Sequence, residues 1–213
     1  MDGKTRQKKR VRQDFLQAAR ELVLEEGTGN LTARKIGDRA GYSYATIYNY
    51  FDSLDHLLFQ VTVDWLEELT GRLKERMNGP LVTPGDLADL LWTYVRFYLE
   101  NANIFAFFFY DRRGAPDPDL ARQLEQVDFG RLLAQGLAPF MGKGRLRVSD
   151  GQTIGELITY HLHGMLLMTL AGGVRPDEET MRDRVDRLVG FLLREGDGME
   201  EVAQWTKEEG KKQ

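Results

Sequence analysis

LTARKIGDRAGYSYATIYNYF, residues 31–51, reads as a helix, a sharp turn and a second short helix. Thr32 is placed to cap the first helix, its hydroxyl accepting a hydrogen bond from a free backbone N–H two or three residues on. Gly41 supplies the left-handed residue that ends it, and Ser43 can cap a helix running to about Tyr50. Two short helices joined through a glycine turn form a helix-turn-helix, whose second helix can enter the DNA major groove. At 100° per residue, Ile47 and Phe51 share an inward side, with Ile36 and Ala40 as partners. Tyr44, Ala45, Tyr48 and Asn49 fall opposite. That outward set has no carboxylate to repel phosphate. Its tyrosine hydroxyls and Asn amide can bond phosphates or base edges, and Ala45 lets the backbone approach or meets a thymine methyl. A helical hairpin with an aromatic core fits less well, because Tyr44 and Tyr48 point away from Ile47.

The rest of the composition narrows the class. The 213 residues suffice for one large or two modest domains. With no cysteine, disulfides, thiolate chemistry and Cys-ligated zinc are excluded, and a reducing cytosol fits. The longest apolar stretch, Leu162–Val174, falls short of the ~18 residues a membrane span needs. His163, Thr169 and glycines also interrupt it. The basic N-terminus leads into an amphipathic, Glu-containing helix rather than a secretory apolar core. A soluble, cytoplasmic protein with no membrane partner is expected.

The net charge of −4 conceals an asymmetry. Residues 1–51 hold 10 Lys and Arg against 6 Asp and Glu, and the remainder 19 against 27. Lys4, Arg6, Lys8, Lys9, Arg10 and Arg12 crowd the first twelve positions. A basic end on an acidic body suits DNA contact at one end, with this cluster as a phosphate-binding arm. A solvated basic tail is the plainer reading of the cluster alone.

Nearly every segment predicts helix, with no strand and no internal repeat. A first helix runs from about Lys8 to Glu26, with Val11, Phe15, Ala18, Ala19 and Leu22 at helical spacing and Gly27 as its stop. Ser53 caps a long helix striped by Leu54, Leu58, Val61, Trp65, Leu69, Leu73 and Met77, broken before Pro80 and Pro84. Thr83-Pro84 opens another, with Leu87, Leu90, Leu91, Tyr94 and Tyr98 inward, and Asn103 starts a short one through Tyr110. After a loop at Arg112–Pro118, one helix is expected through Leu120, Leu124, Val127, Leu137 and Phe140, then a basic loop at Arg145–Arg147. Helices from Asp150 to Ala171 and Asp177 to Arg194 follow, with a further helix possible around Met199–Glu208. The expected fold class is all-α: a three-helix DNA-binding domain at 1–53 and a larger helical ligand-binding and dimerisation domain at 54–213. Fifty residues make too small a core alone, so the head should dock on the long helix from Ser53.

The stretch from Phe15 to Leu58 resembles the TetR/AcrR family of bacterial transcriptional regulators. The matching residues are Glu25-Glu26-Gly27, Leu31-Thr32, Ile36, Ala40-Gly41-Tyr42-Ser43, Thr46-Ile47-Tyr48-Asn49-Tyr50-Phe51 and Leu57-Leu58. This covers roughly a fifth of the chain. The resemblance implies an all-α homodimer that binds double-stranded operator DNA and releases it when a small molecule enters the body. By position, Tyr44, Ala45, Thr46, Tyr48 and Asn49 would face DNA, with Ser43 at the start of their helix. Arg34 would reach a base, its fork suiting guanine O6 and N7, and Thr32 and Tyr50 would hold phosphates. Where the family commonly has a phosphate-gripping lysine, this chain has Leu54, between Asp52 and Asp55. The Ser53 cap and the free N–H groups behind it can still receive a phosphate, against those two carboxylates. Gly37, costing ~1 kcal/mol inside a helix, suggests close packing of the first two helices.

In the body, the helix from Asp150 is apolar nearly all round. Ile154, Leu157, Ile158, His161, Leu162, Met165 and Met168 take one side, and Tyr160, Gly164, Leu167 and Ala171 the other. With the stripe Met181, Val185, Leu188, Val189, Leu192 and Leu193 it suits a four-helix bundle across a two-fold axis. The expected dimer seam is therefore Tyr160, Gly164, Leu167, Ala171, Val185, Leu188, Val189 and Leu192; an intramolecular core is the other arrangement these stripes allow. Aromatic residues concentrate from Trp92 to Tyr110, more than short helices need for packing. They suggest a pocket for a hydrophobic or aromatic effector, with Tyr94, Tyr98, Phe105, Phe109, His161 and Met165 as its wall. No catalytic set and no cofactor or metal site is expected. His161 and His163 project about 200° apart and cannot clamp one ion, and nucleophile, P-loop and dinucleotide signatures are absent. Two other classes stay open: a helical ligand-binding or interaction protein with weak DNA binding, and a helical enzyme using the aromatic pocket.

Overall fold

Local rules carry the first helices. The computed structural model describes residues 3–29, 31–79, 81–110, 118–126, 129–141, 150–171 and 176–193, without the side chains of 120, 124–126 and 171. In it α1 spans Gly3–Glu26, α2 Ala33–Ala40 and α3 Tyr44–Ile47. Thr32 caps α2 as expected, accepting from the Lys35 N–H at 3.3 Å, and Gly41 ends it at φ 78°. α1 begins at Gly3 rather than Lys8, so the basic cluster is helical. The long α4, Leu54–Arg76, is capped by Ser53, whose Oγ accepts from the His56 N–H at 3.0 Å.

Among the described residues there is no strand, and seven more segments complete the helices: α5 Pro84–Glu100, α6 Ala102–Phe109, α7 Pro118–Gln126, α8 Phe129–Met141, α9 Gly151–Ala171 and α10 Glu178–Leu192, with α4 the first of the seven. The helix expected from Pro118 to Phe140 is covered by α7 and α8, and residues 127 and 128 between them lie outside the described residues. Expectations for Arg112–Asp117, Val127, Arg145–Arg147, Arg194, the segment Met199–Glu208 and the side chains of Leu120, Leu124 and Ala171 fall outside the described residues. No helix of the described residues is long and apolar enough to cross a membrane.

Two compact units divide the chain, Met1–Gly71 with Phe97–Asp128, and Arg72–Arg96 with Phe129–Gln213. In the first, α1 packs on α2 and α6, and α2 on α3. Phe15, Leu22, Ile36, Ile47 and Phe51 are buried together with Leu58, Val61, Trp65 and Leu69 of α4. The expected docking of the head on α4 is present. Arg12 donates to Gln60 Oε1 at 3.0 Å, and Arg20 reaches Glu68 at 3.0 Å while its guanidinium lies 5.1 Å from the Trp65 ring centre. Half-exposed ion pairs of this kind contribute ~1 kcal/mol at most, so the buried apolar face does the holding.

The second unit is built on α5, α8, α9 and α10. α5 opens with a reciprocal cap: Thr83 Oγ1 accepts from the Asp86 N–H at 3.2 Å, and Asp86 Oδ2 accepts from the Thr83 N–H at 2.9 Å. Asp177 caps α10 through the Thr180 N–H at 2.7 Å. Asp89 is clasped between Arg76 and Arg182, tying the end of α4 and α10 to α5, and the two guanidiniums hold its carboxyl below the usual range against the opposing pull of burial.

Tyr94 is buried beside Phe129, ring centres 3.9 Å apart, and its hydroxyl lies 2.5 Å from His163 Nε2. Burial pushes the His163 imidazole below its ordinary value. The unfolded chain then takes up this proton first, so stability is fully present above pH ~6.5 and declines as pH falls below it. The melting temperature should drop between pH 7 and 5 in the parent and drop less in His163→Gln, which keeps a partner for Tyr94; equal drops would show that His163 is not the titrating group.

Candidate nucleic-acid interface

The recognition element is shorter than expected. α3 has four residues, and the chain then tightens into turns closed by Asn49 N–H to Thr46 O at 3.1 Å and Tyr50 N–H to Ile47 O at 2.9 Å. These i to i+3 bonds are the 3₁₀ geometry that ends short helices, and they bring Phe51 inward within one further residue. Ile47 is wholly buried, while Tyr44 and Tyr48 are 58% and 52% exposed and Ala45 and Asn49 are exposed. The division between a dry and a wet edge is thus as read from the sequence. Thr46 and Tyr50 are half-buried, the Tyr50 ring standing 6.0 Å from Phe15.

Ser43 does not cap α3 with its side chain. Its hydroxyl lies 2.8 Å from that of Thr46, and the two hydroxyls satisfy each other. Gly37 is also explained differently from expectation. A Cβ there would stand 2.9 Å from Tyr42 O and 3.0 Å from Tyr44 N, so the close approach is between α2 and the start of α3, not between α1 and α2. Tyr42, given no role from the sequence, fastens the same corner. Its hydroxyl donates to Asp14 at 3.0 Å and its ring lies 5.3 Å from Phe15.

Electrostatics sort the cations of α2. Lys35 pairs with Glu26 at 2.6 Å, and Arg39 grips Glu25 with both its amino groups. Arg34 is exposed with no partner among the described residues, which leaves its fork available to an incoming acceptor. At the start of α4, Asp52 and Asp55 are exposed, and His56 Nδ1 lies 3.3 Å from Asp52. Ser53 Oγ already takes the His56 N–H, so this helix end offers phosphate less than a free one would. Asn103, read only as a helix start, donates from its amide to Leu24 O at 2.9 Å and so satisfies one of the last carbonyls of α1. Such a long-range cap carries no local sequence signal.

The residues expected as the effector wall are divided between the two units. Tyr98, Phe105 and Phe109 belong to an edge-to-face aromatic cluster of the first unit, where Tyr98 and Phe105 are buried and Phe109 is 45% exposed. In the second unit Tyr94 and Met165 are buried and His161 is exposed. A groove of about 590 Å³ lies instead between α8 and α9, lined by Leu133, Ala134, Leu137, Ala138, Met141, Gly155 and Tyr160, none of them anticipated for this role. Small residues on both helices open it, a pattern visible in the sequence only once the two helices are known to pack.

The expected dimer seam is partly corrected. Val185 and Val189 are buried within the protomer, with Met181 on the same helix and Leu193 at its end, so neither offers surface to a partner. Leu157, His161 and Met168, read on the side of α9 opposite Tyr160, are exposed as Tyr160 is. Tyr160 is 69%, Met168 78% and Phe191 70% exposed, and they line a groove between α9 and α10 with Gly164 and Leu188. Leu167 is also exposed and Leu192 half-buried. Among the described residues no group of three His, Asp or Glu side chains stands close enough to hold a metal.

Residues 15–61 match the pattern of "Bacterial regulatory proteins, tetR family". Over that stretch, about a fifth of its length, the chain is similar to this family. A curated relative, the HTH-type transcriptional repressor KstR2 of Rhodococcus jostii (strain RHA1), is 29% identical over 82 residues, which is 38% of this chain and 40% of that protein. The chain therefore aligns with less than half the length of this curated relative. The fold extends further. FadR of Bacillus subtilis, solved with stearoyl-CoA, superposes with a TM-score of 0.68 at 17% identity, covering 83% of this chain and 96% of that one. FadR of Thermus thermophilus, a TetR-family repressor solved with lauroyl-CoA, gives 0.62 at 24% identity, covering 87% and 97%. At these identities the likeness speaks for the fold alone.

Proposed function

We propose that this protein is a tetR-family, ligand-responsive regulator that binds double-stranded operator DNA through residues 1–53, acts as a repressor, and is released by a small hydrophobic or aromatic effector held in residues 54–213. The observation that carries the reading is the acid-free exposed edge of Tyr44, Ala45, Tyr48 and Asn49, braced from behind by buried Ile47 and Phe51. In this reading Arg34 adds a base-reading fork, Thr32 and Tyr50 hold phosphates, and Thr46 faces the DNA with Ser43 at the start of its helix. A gel shift with the DNA upstream of its own gene tests this: a discrete complex that a scrambled duplex does not compete away supports it, and competition by any duplex defeats it.

Two heads reading one operator need recognition helices about one DNA turn, ~34–36 Å, apart. The dimer in this reading is sealed by the apolar groove of α9 and α10. Phe191→Glu places a charge in that seam and is expected to convert a dimer to a monomer in sedimentation velocity; a variant as dimeric as the parent would move the seam elsewhere. Effector binding in this reading changes the head separation. The α8–α9 groove favours an apolar ligand, and the FadR neighbours, solved with acyl-CoA, make acyl chains the first compounds to try beside small phenols. A ligand at 100 times its dissociation constant stabilises the fold by about 2.7 kcal/mol, a thermal shift of several degrees.

A second reading, a helical interaction protein with weak DNA binding, is favoured by Leu54 and the carboxylates beside it. The same gel shift separates the two.

A further inference from the structure

We propose that the first two turns of α1 form a helical phosphate clamp beside the recognition element, with Lys4 and Lys8 as its contacts to double-stranded DNA. This rests on the operator-binding reading above and extends it. Residues 3–10 are helical and exposed throughout, and hold five cations with no acidic residue. None of Lys4, Arg6, Lys8 and Lys9 meets a carboxylate among the described residues.

The register singles out two of them. Lys4, Lys8, Val11 and Phe15 are spaced 4, 3 and 4 apart and therefore form one stripe of the helix. Lower on that stripe, Val11 and Phe15 are buried, and Phe15 touches Tyr42 and Tyr50, the two residues that bracket α3. Arg12, next to the stripe, lies 5.0 Å from the Phe51 ring centre. The stripe that seats α1 on the head thus continues past the head's edge as lysine, on the side where Tyr50 stands. At 1.5 Å per residue Lys8 and Lys4 lie about 10 and 16 Å along the axis from Phe15, and phosphates recur every ~3.4 Å along a strand. Arg6 and Lys9 project to the opposite side. An apolar continuation would have packed; a lysine one is built to meet an anion.

The test compares two charge-matched double variants of the full chain: Lys4→Gln with Lys8→Gln, and Arg6→Gln with Lys9→Gln. Glutamine preserves helix propensity, and circular dichroism checks the fold. Binding to the upstream DNA is measured from 50 to 200 mM salt. Each lost phosphate contact lowers the slope of log affinity against log salt by ~0.9. The Lys4/Lys8 variant should lose about 1.8 of slope, so that its salt sensitivity over this range falls roughly tenfold, and the Arg6/Lys9 variant much less. Equal slopes in the two variants would overturn the clamp, since only net charge would then matter. So would an unchanged Lys4/Lys8 slope, including one accompanied by lost binding to phosphatidylserine vesicles, which would assign the surface to a membrane. If the parent protein itself prefers no duplex over a scrambled one, it is the operator reading that fails.

Discussion

Phe15→Ala lowers the melting temperature by about 10 °C and abolishes specific DNA binding. Phe15 has no exposed surface and joins three pieces of the head, with ring centres 5.3 Å from Tyr42 and 6.0 Å from Tyr50. Truncating a buried phenylalanine costs about 3–5 kcal/mol through lost transfer energy and the cavity left behind. For a chain of this size each kcal/mol moves the melting temperature by about 2–4 °C. The exposed polar edge of α3 is braced by Ile47 and Phe51 and flanked by Tyr42 and Tyr50, which both rest on Phe15, so truncating Phe15 loosens its seat. Calorimetry with anisotropy on labelled DNA checks both halves. A variant that melts near the parent temperature would mean that the head does not depend on this contact.

Gly37→Ala should weaken specific DNA binding by about 10–100-fold. The added methyl meets backbone atoms, Tyr42 O at 2.9 Å, Tyr44 N at 3.0 Å and Tyr44 Cα at 3.1 Å, which cannot swing aside as a side chain would. α3 must shift against α2, and base contacts worth ~1–3 kcal/mol each are sensitive to such a shift. Relief of the helix penalty of glycine, ~1 kcal/mol, offsets part of the overpacking cost, so affinity falls further than stability. Gly71→Ala in α4 is the control. A Cβ there meets nothing within 4 Å, and the substitution should raise stability by up to ~1 kcal/mol without touching DNA binding. Were Gly37→Ala to bind as the parent does, the tight corner would have no part in recognition.

Much of the fold was legible because it is written in local chemistry. The Leu58–Val61–Trp65–Leu69–Leu73 stripe of α4 has helical period and is buried as read. Thr32, Gly41, Ser53 and Asp177 sit at helix ends for reasons that need only a few neighbouring residues. The candidate interface was legible for the same reason, since opposite edges of one short helix follow from spacing alone.

What failed on α9 and α10 depended on partners distant in the chain. Val185 and Val189 share a period with Leu188, and nothing local says which side of α10 the protomer claims for itself. The exposure of Leu157, His161 and Met168 was likewise not legible, because α9 is apolar nearly all round and periodicity cannot orient such a helix. Gly37 signalled a close approach but not its partner, and the Asn103 bond to Leu24 O joins residues 79 positions apart. Ser43 was assigned a cap that its neighbour Thr46 intercepts, a competition between two equally plausible hydroxyl partners.

The central claim is that the wet edge of α3 reads bases. Its most direct test is the affinity of Tyr48→Ala and Arg34→Ala for the upstream DNA, measured beside a scrambled duplex. Both side chains are exposed, so neither change should move the melting temperature. The account predicts that each variant loses about 5- to 150-fold in specific affinity, the equivalent of ~1–3 kcal/mol per contact, with binding to the scrambled duplex little altered. Two variants that discriminate between the duplexes as well as the parent does would contradict it.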